Sequence, residues 1–493
     1  MAPARSVLVV APLLCTLALA GCLTNSSPLG PEALPVGNLP RLPALGFLPE
    51  VSIDPGHRGG EPSIVADLDN NYYVSAPSGF VSTVFNSVID PTLLPAQGPA
   101  NRQSFIWKSS DQGASWNLLT ITPPPLPPLR GDLVIGGADT DLAVDACNTV
   151  YFTDLWLGNI GVSHSDDGGA TWQGVPITGI APVLDRNWIA ADTREGHCGT
   201  VYLLFQTFYQ QLWVLKSTDK GMTFPQQVLV MDCNPTAAVL MPQVEGCYGI
   251  DGNILFDASS GSLHFIAGLA DGNGVWVFHS GDEGATWMGM QVPMAADVNN
   301  VFPVLAADNA GNLYAVVSML NNGSYNIYLT QSTDHGMNWS EPRAISGPED
   351  SGTEVFPWVA AGDAGKVAVV WYGVNDTVET TDAVTGDWFV YMAASEDAAG
   401  ASPTWTYALV SEKPFHKGEI CTLGLTCTLP QPLGTRGNRN LADFFEVGID
   451  REGRAIVTWA NDYEVADQFI SVPFFAKQSQ GTIFAVPSGN ATG

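Results

Sequence analysis

The chain has 493 residues, with 49 Asp+Glu against 19 Lys+Arg and a formal net charge of −30. Charge of that sign and size disfavours nucleic acid and anionic membrane surfaces as partners. Hydrophobic content is 45% and charged content only 14%, so the deficit lies in bases and there is ample material for a large core.

The chain opens on a processing segment. Arg5 is followed by an apolar run from Val7 to Ala20, too short for a spanning helix with its own flanks. The run ends in Leu19-Ala20-Gly21-Cys22, which resembles the lipobox cut by lipoprotein signal peptidase. That resemblance implies removal of residues 1–21, a lipid on the Cys22 sulfur, and an exported protein held at the cell surface. Residues 22–54 are rich in Pro, Leu, Gly, Ser and Asn and predict an extended tether. Residues 55–485 read as one domain and residues 486–493 as a frayed tail.

The domain is organised by a recurring turn. Ser109-Ser110-Asp111-Gln112-Gly113-Ala114-Ser115-Trp116 returns as Ser165-Asp166-Asp167-Gly168-Gly169-Ala170-Thr171-Trp172 and as Ser217-Thr218-Asp219-Lys220-Gly221-Met222-Thr223-Phe224. Two more copies begin at Ser280 and Ser332, and a worn copy runs from Ser395 to Gly400 with Trp405 displaced. Read on Asp111, Asp166, Asp219, Asp282, Asp334 and Asp397, the period is roughly 52 to 63 residues, which signals a repeat architecture. Physically the phrase is a hairpin turn: Asp folds back onto backbone N–H groups, Gly takes a positive φ, and the aromatic packs beneath.

Upstream of each turn lies a second phrase, an apolar run ending in Asp and then another strand. Examples are Ser63-Ile64-Val65-Ala66-Asp67 before Tyr72-Tyr73-Val74-Ser75, and Trp188-Ile189-Ala190-Ala191-Asp192 before Val201-Tyr202-Leu203-Leu204. Seven such units are present, the last ending at Asp450. Each predicts four strands, two before the turn and one on either side of it. Near-continuous apolar runs suit inner strands buried between neighbouring blades. The reading is an all-β propeller of seven blades, with six the alternative. Phe47 to Val51 is placed to complete the last blade, since a ring must close its edges.

The recurring turn resembles the Asp-box (BNR) repeat of sialidase-like β-propellers, over roughly residues 55 to 480. In that family the box joins the outer two strands of each blade, away from the active site. The resemblance therefore implies that the six box aspartates are structural. It also raises the expectation of a sialidase, whose chemistry uses three arginines on the substrate carboxylate, a Tyr nucleophile activated by a Glu, and an Asp as acid/base. The family's first arginine opens the first blade in a Phe/Tyr-Arg-Ile/Val-Pro motif. Here that place reads His57-Arg58-Gly59-Gly60-Glu61-Pro62, with the Arg two residues early and Glu61 before the Pro. Unit four has no Arg, unit five has only Arg343 just after its box, and Arg451 and Arg454 lie in a strand turn on the wrong side. The reading thus leans away from catalysis, towards a propeller binding a glycan or a surface protein at the channel mouth. A glycoside hydrolase using carboxylates at that mouth is the alternative.

Six cysteines remain once Cys15 and Cys22 are set aside, an even number suited to an exported protein. Proximity suggests Cys421–Cys427 and Cys233–Cys247, leaving Cys147–Cys198. None has metal-ligand spacing with His, so neither metal nor cofactor is expected, and a monomer is expected. Long insertions occupy residues 77–103, 123–128 and 411–440. Such loops on a rigid ring are common binding elements.

The site follows from register. Aligned on the terminal Asp of each inner strand (Gly362 in unit six), the residue six places earlier is Glu61, Asp139, Arg186, Asp251, Phe302, Phe356 and Phe444 in turn. Charge from units one to four and rings from units five to seven suit a carbohydrate site. Asp154, Trp188, Arg436 and Arg439 are expected at the same mouth, and Glu61, Asp139, Asp154, Arg186 and Asp251 form the predicted key cluster.

Overall fold

The structure, a computed structural model, describes residues 45–57, 59–77, 104–119, 138–156, 159–177, 183–207, 211–232, 249–269, 274–295, 303–346, 352–424, 427, 437–463 and 471–486. Cys22, Cys233, Cys247, Phe302 and Arg436 lie outside them.

Two short strands, β1 (Gly46–Phe47) and β2 (Val51–Ser52), come first. Blade 1 follows as β3 (Ser63–Ala66), β4 (Tyr72–Ala76), β5 (Phe105–Ser109) and β6 (Asn117–Leu118). Blade 2 is β7 (Thr140–Val144), β8 (Val150–Trp156), β9 (Asn159–Ser165) and β10 (Gln173–Pro176). Blade 3 is β11 (Val183–Ala191) to β14 (Gln226–Asp232), with β12 (Val201–Thr207) and β13 (Gln211–Ser217) between. Blade 4 runs from β15 (Gly249–Asp257) through β16 (Ser262–Leu269) and β17 (Gly274–Ser280) to β18 (Met288–Val292). Blade 5 holds β19 (Val304–Ala307), β20 (Leu313–Asn321), β21 (Ser324–Ser332) and β22 (Arg343–Ala344). Blade 6 holds β23 (Thr353–Ala361), β24 (Val367–Val374), β25 (Asp387–Ser395) and β26 (Thr406–Leu409), with β27 (His416–Lys417) also on β25. Blade 7 is β28 (Glu446–Ile449), β29 (Ala455–Asn461) and β30 (Val472–Gln480), completed by β1.

All pairings are antiparallel, and the seven sheets form a seven-bladed propeller, so the six-bladed alternative is set aside. The innermost strands β3, β7, β11, β15, β19, β23 and β28 each touch the next, and β28 touches β3, so the ring is closed. N- and C-terminal strands share the closing blade: Phe47 pairs with Gln478 and Val51 with Phe475. Residues 46–52 therefore belong to the propeller and not to the tether assigned to 22–54. The open edge of β30 needs a partner for its backbone groups, and this segment supplies it.

In five of the seven blades the second strand is wholly buried. Every residue of β4, β12, β16, β24 and β29 is buried, whereas β3 and β28 end half-exposed. The second strand is covered on both faces by neighbouring blades, while the innermost borders the central channel. The disulfide Cys147–Cys198 ties the turn after β7 to that after β11, and Cys421–Cys427 closes a small loop.

The recurring turn has one chemistry. The Ser hydroxyl accepts the Gly N–H four residues on, at 2.8 Å in Ser109–Gly113 and 2.9 Å in Ser217–Gly221, and donates to the Asp carboxylate. The carboxylate then accepts the N–H and the side chain of the residue four beyond it, as Asp219 does from Thr223 at 2.8 and 2.7 Å. Gly113 has φ +90° and its ideal Cβ would meet Phe475 at 2.0 Å, so glycine is required twice over. In the second copy this role falls to Asp167, not Asp166. Asp167 bonds Ser165 and Thr171, while Asp166 faces Thr149 and Lys220 of the next blade. The Asp must stand two residues after the Ser for the loop to close, and the neighbouring aspartate conceals this. In the worn copy Asp397 captures the N–H of Thr404 at 2.7 Å in place of a residue four away.

Replacing Asp219 with Ala removes two acceptors from its turn. Unfolding free energy is expected to fall by about 1 kcal/mol, the usual cost of losing such a cap. The urea midpoint measures it, and an unchanged midpoint would show the turn is not stabilised this way.

Candidate functional site

Chain direction assigns the two faces. Inner strands run towards the turns at Asp67, Asp145 and their equivalents, and the third strands run the same way into the recurring turns. Both sets of turns share one face. The starts of the inner strands gather on the other.

Arg186 is the centre of that second face, with 1% of its surface exposed. Its Nη2 donates to Asp443 Oδ2 at 2.8 Å, its Nη1 lies 3.8 Å from Glu61 Oε1, and its backbone N–H donates to Asp139 Oδ2 at 2.9 Å. Arg439 donates to both oxygens of Asp443. Asp251 is fully buried, and neither of its oxygens has a hydrogen-bond partner among the described residues. The register therefore brings Glu61, Asp139, Arg186 and Asp251 together, from blades 1 to 4. Arg439 and Asp443 join from the approach to blade 7.

The charges divide. Burial pushes Asp443 up, but Arg439 and Arg186 outweigh it and hold the carboxyl below its ordinary value. Asp251 is pushed up to about 8 by burial, with Arg186 opposing and Asp139 reinforcing. Glu61 stands well above the usual carboxylate range through burial and then the negative charges of Asp139 and Asp443. One mouth thus holds an ionised carboxylate clasped by two guanidiniums beside two carboxyls that keep their protons at neutral pH.

The backbone is bent to achieve this. Glu61, Arg186 and Phe356 occupy the same register position in three blades and have φ of 43°, 52° and 55°. Pairing slips between Asp185 and Asn187 in β11 and between Val355 and Trp358 in β23. A bulge re-aims a side chain, and non-glycine residues held at positive φ concentrate at functional sites.

The rings do not form the sugar-facing surface expected of them. Trp188 from blade 3 meets Trp358 from blade 6 at 5.6 Å and Phe444 from blade 7 at 5.0 Å, and the last two lie 5.6 Å apart. Blade 3 neighbours neither of the others, so the rings meet across the channel and plug it, all three buried. Phe356 is buried edge-on to Tyr372 at 6.0 Å. A ring of seven inner strands leaves an axial space that must be filled, and large flat side chains fill it. The Arg186 guanidinium lies 6.0 Å over Phe444, so the plug is the floor of the charged mouth. Asp154 stands at the same end, but its Oδ1 accepts from Ser104 Oγ at 2.7 Å.

A second carboxyl pair was not anticipated from the sequence. Asp141, two residues beyond Asp139, accepts from Ser63 Oγ at 3.1 Å, Leu142 N–H at 2.7 Å and Ile189 N–H at 2.8 Å. Glu446, two beyond Phe444, accepts from Ile64 N–H at 2.9 Å through Oε2, and its Oε1 has no partner among the described residues. Burial pushes Asp141 to about 7, and burial with the Asp141 charge holds Glu446 far above its ordinary value. The signal was available: each is an acid inside an otherwise apolar inner-strand phrase. Among the described residues no group of three or more His, Cys, Asp or Glu is arranged to hold a metal.

No family model and no curated protein sequence matches the chain. Solved structures of similar shape include an α-L-arabinofuranosidase of Fusarium graminearum with arabinobiose, at 11% identity and TM-score 0.45, covering 88% of this chain and 98% of that one. An ulvan lyase aligns at 12% identity and TM-score 0.47, covering 88% and 96%. A sialidase of Streptococcus pneumoniae aligns at 12% and 0.40, covering 87% and 70%. Values this low carry no argument about activity, which rests on the residues themselves.

Proposed function

We propose that this protein is a surface-anchored propeller that binds a glycan at the mouth centred on Arg186. The observation that carries the reading is convergence: Glu61, Asp139, Arg186, Asp251 and Asp443 arrive from five blades at one end of the channel. Carboxyls and guanidiniums spaced this way accept from and donate to sugar hydroxyls. Asp139 is the half-exposed member and the one best placed to meet a ligand.

A glycan array followed by calorimetry tests the reading. Asp139→Asn is expected to weaken the captured glycan by about tenfold, the effect of one good polar contact. Asp219→Ala, on the opposite face, is expected to leave affinity unchanged in the folded fraction. Capture indifferent to Asp139→Asn would sink the assignment.

One observation favours a second reading, a glycoside hydrolase. Hydrolysis needs one carboxyl kept protonated as acid beside another kept ionised, and Asp251 and Asp443 are held in those states. Release of reducing ends, lost in Asp251→Asn with binding retained, would establish it.

Anchoring rests on the Leu19-Ala20-Gly21-Cys22 sequence. Cys22→Ala is expected to move the protein from the membrane fraction to the soluble one. Persistence with membranes in that variant would refute the lipid anchor.

A further inference from the structure

We infer that the glycan taken by this mouth carries a free amine: an amino sugar whose ammonium sits among Asp251, Glu61 and Asp139. The inference rests on the glycan-binding reading and names its ligand class.

The charge pattern of the mouth leads there. Four carboxyls, Glu61, Asp139, Asp251 and Asp443, meet two guanidiniums, and both guanidiniums are engaged on Asp443. Glu61 is 3.8 Å from Arg186 Nη1, beyond hydrogen-bonding reach, and Asp139 takes a backbone N–H of Arg186. Asp251, with no surface exposed, has two oxygens and no donor for either among the described residues. A buried carboxyl in that position holds a proton or meets a cation.

An ammonium matches what is missing. It brings one positive charge and three N–H donors to carboxyls that lack both. A neutral hydroxyl offers a single donor and cannot take the place of the proton that Asp251 holds. A sugar carboxylate fits less well, because it would enter a cluster of four acids. The floor suits a cation as well, since the Arg186 guanidinium lies 6.0 Å over the Phe444 ring. At long range, a net charge of −30 draws cations inward.

Capture has a proton balance. In the empty mouth Asp251 keeps its proton, facing Arg186 on β11 and Asp139 before β7, with Glu61, Asp443 and Arg439 around them. When an ammonium arrives, the Asp251 O–H bond breaks, the proton passes to solvent, and the carboxylate pairs with the ammonium. Affinity is therefore expected to rise with pH from 6 for as long as the sugar amine stays protonated, and to fall once the amine loses its own proton, because a neutral amine brings no charge and releases no proton from Asp251.

The test is calorimetry on the intact chain with three oligosaccharides of equal length: a β-1,4-linked glucosamine oligomer, its N-acetylated form and a uronic-acid oligomer. The amine form is expected to bind about tenfold or more tightly than the N-acetylated form. Its heat is expected to differ between buffers of different ionisation enthalpy, reporting the released proton. Asp251→Asn is expected to abolish both the preference and the proton release. If that variant does not fold, selectivity in the unaltered chain decides alone. Equal or tighter binding of the N-acetylated or uronic-acid oligomer overturns the amine inference and leaves glycan binding standing, as does capture of only some other neutral glycan. Capture of no glycan across a wide array overturns both.

Discussion

Arg186→Met is expected to destabilise the propeller by about 3–5 kcal/mol and to abolish ligand capture, because removing one partner of a buried ionic group leaves the others uncompensated. The guanidinium is 1% exposed and contacts acids from separate blades, Asp443 at 2.8 Å and Glu61 at 3.8 Å. Methionine fills a similar volume, so the effect reports charge and not a cavity. With the cation gone, Asp443 loses one of the two guanidiniums that hold it ionised, and Asp251 loses the positive charge that opposes its burial. Asp251 and Glu61 then stay protonated to higher pH, and Asp139 is left to repel any entering acid. Arg186→Lys separates charge from geometry: it restores charge without the planar fork, so stability should recover further than binding. Urea unfolding and calorimetry on both variants measure the two effects. An Arg186→Met variant as stable as the parent would mean the cluster is solvated and Arg186 is no keystone.

Much of this architecture is legible because it repeats. The Ser-x-Asp-x-Gly phrase announces a turn five times over, and the terminal Asp of each inner strand gives a register. That register brings Glu61, Asp139, Arg186 and Asp251 to one place from residues up to 190 apart in sequence. What repetition does not encode stays hidden. Asp443 lies one place off the aligned position, and only the structure shows it as the partner of both Arg186 and Arg439. Phe444 and Trp188 read as open faces because sequence gives a residue's height along the channel but not whether rings opposite will meet it. Trp358, from a blade across the ring from Trp188, is what buries them. Asp166 and Asp167 stand side by side, and it is Asp167, two residues after Ser165 as in the other copies, that bonds Ser165 and Thr171.

Stability is expected to fall as pH rises from about 4 to 7, and Glu446→Gln to remove the share of that fall that Glu446 itself contributes. Asp141 titrates near 7 in the folded chain, pushed up by burial, and near 4 in an unfolded one. Between those values the native state holds a proton that the unfolded state has released, so stability drops with rising pH and levels off above the folded value. For this group alone the loss between acid and neutral pH amounts to about 4 kcal/mol. Asp251, pushed to about 8, acts in the same sense over a slightly wider window. The turn aspartates act oppositely: hydrogen bonds from Ser115 and Thr171 hold Asp111 and Asp167 low, so their contribution is lost only as pH falls below about 4. The optimum is therefore expected on the acid side of neutrality. Glu446 is the place to intervene, because its Oε2 accepts from Ile64 N–H while its Oε1 has no described partner. Glutamine keeps the acceptor for Ile64 and puts an amide, with donors and no charge, where the second carboxyl stood. The variant should gain about 2 kcal/mol at pH 8, and its stability should vary less between pH 5 and 8. Thermal melts of parent and variant from pH 4 to 9 measure this. A parent whose melting temperature is flat across that range would show that neither buried acid carries a proton into the native state.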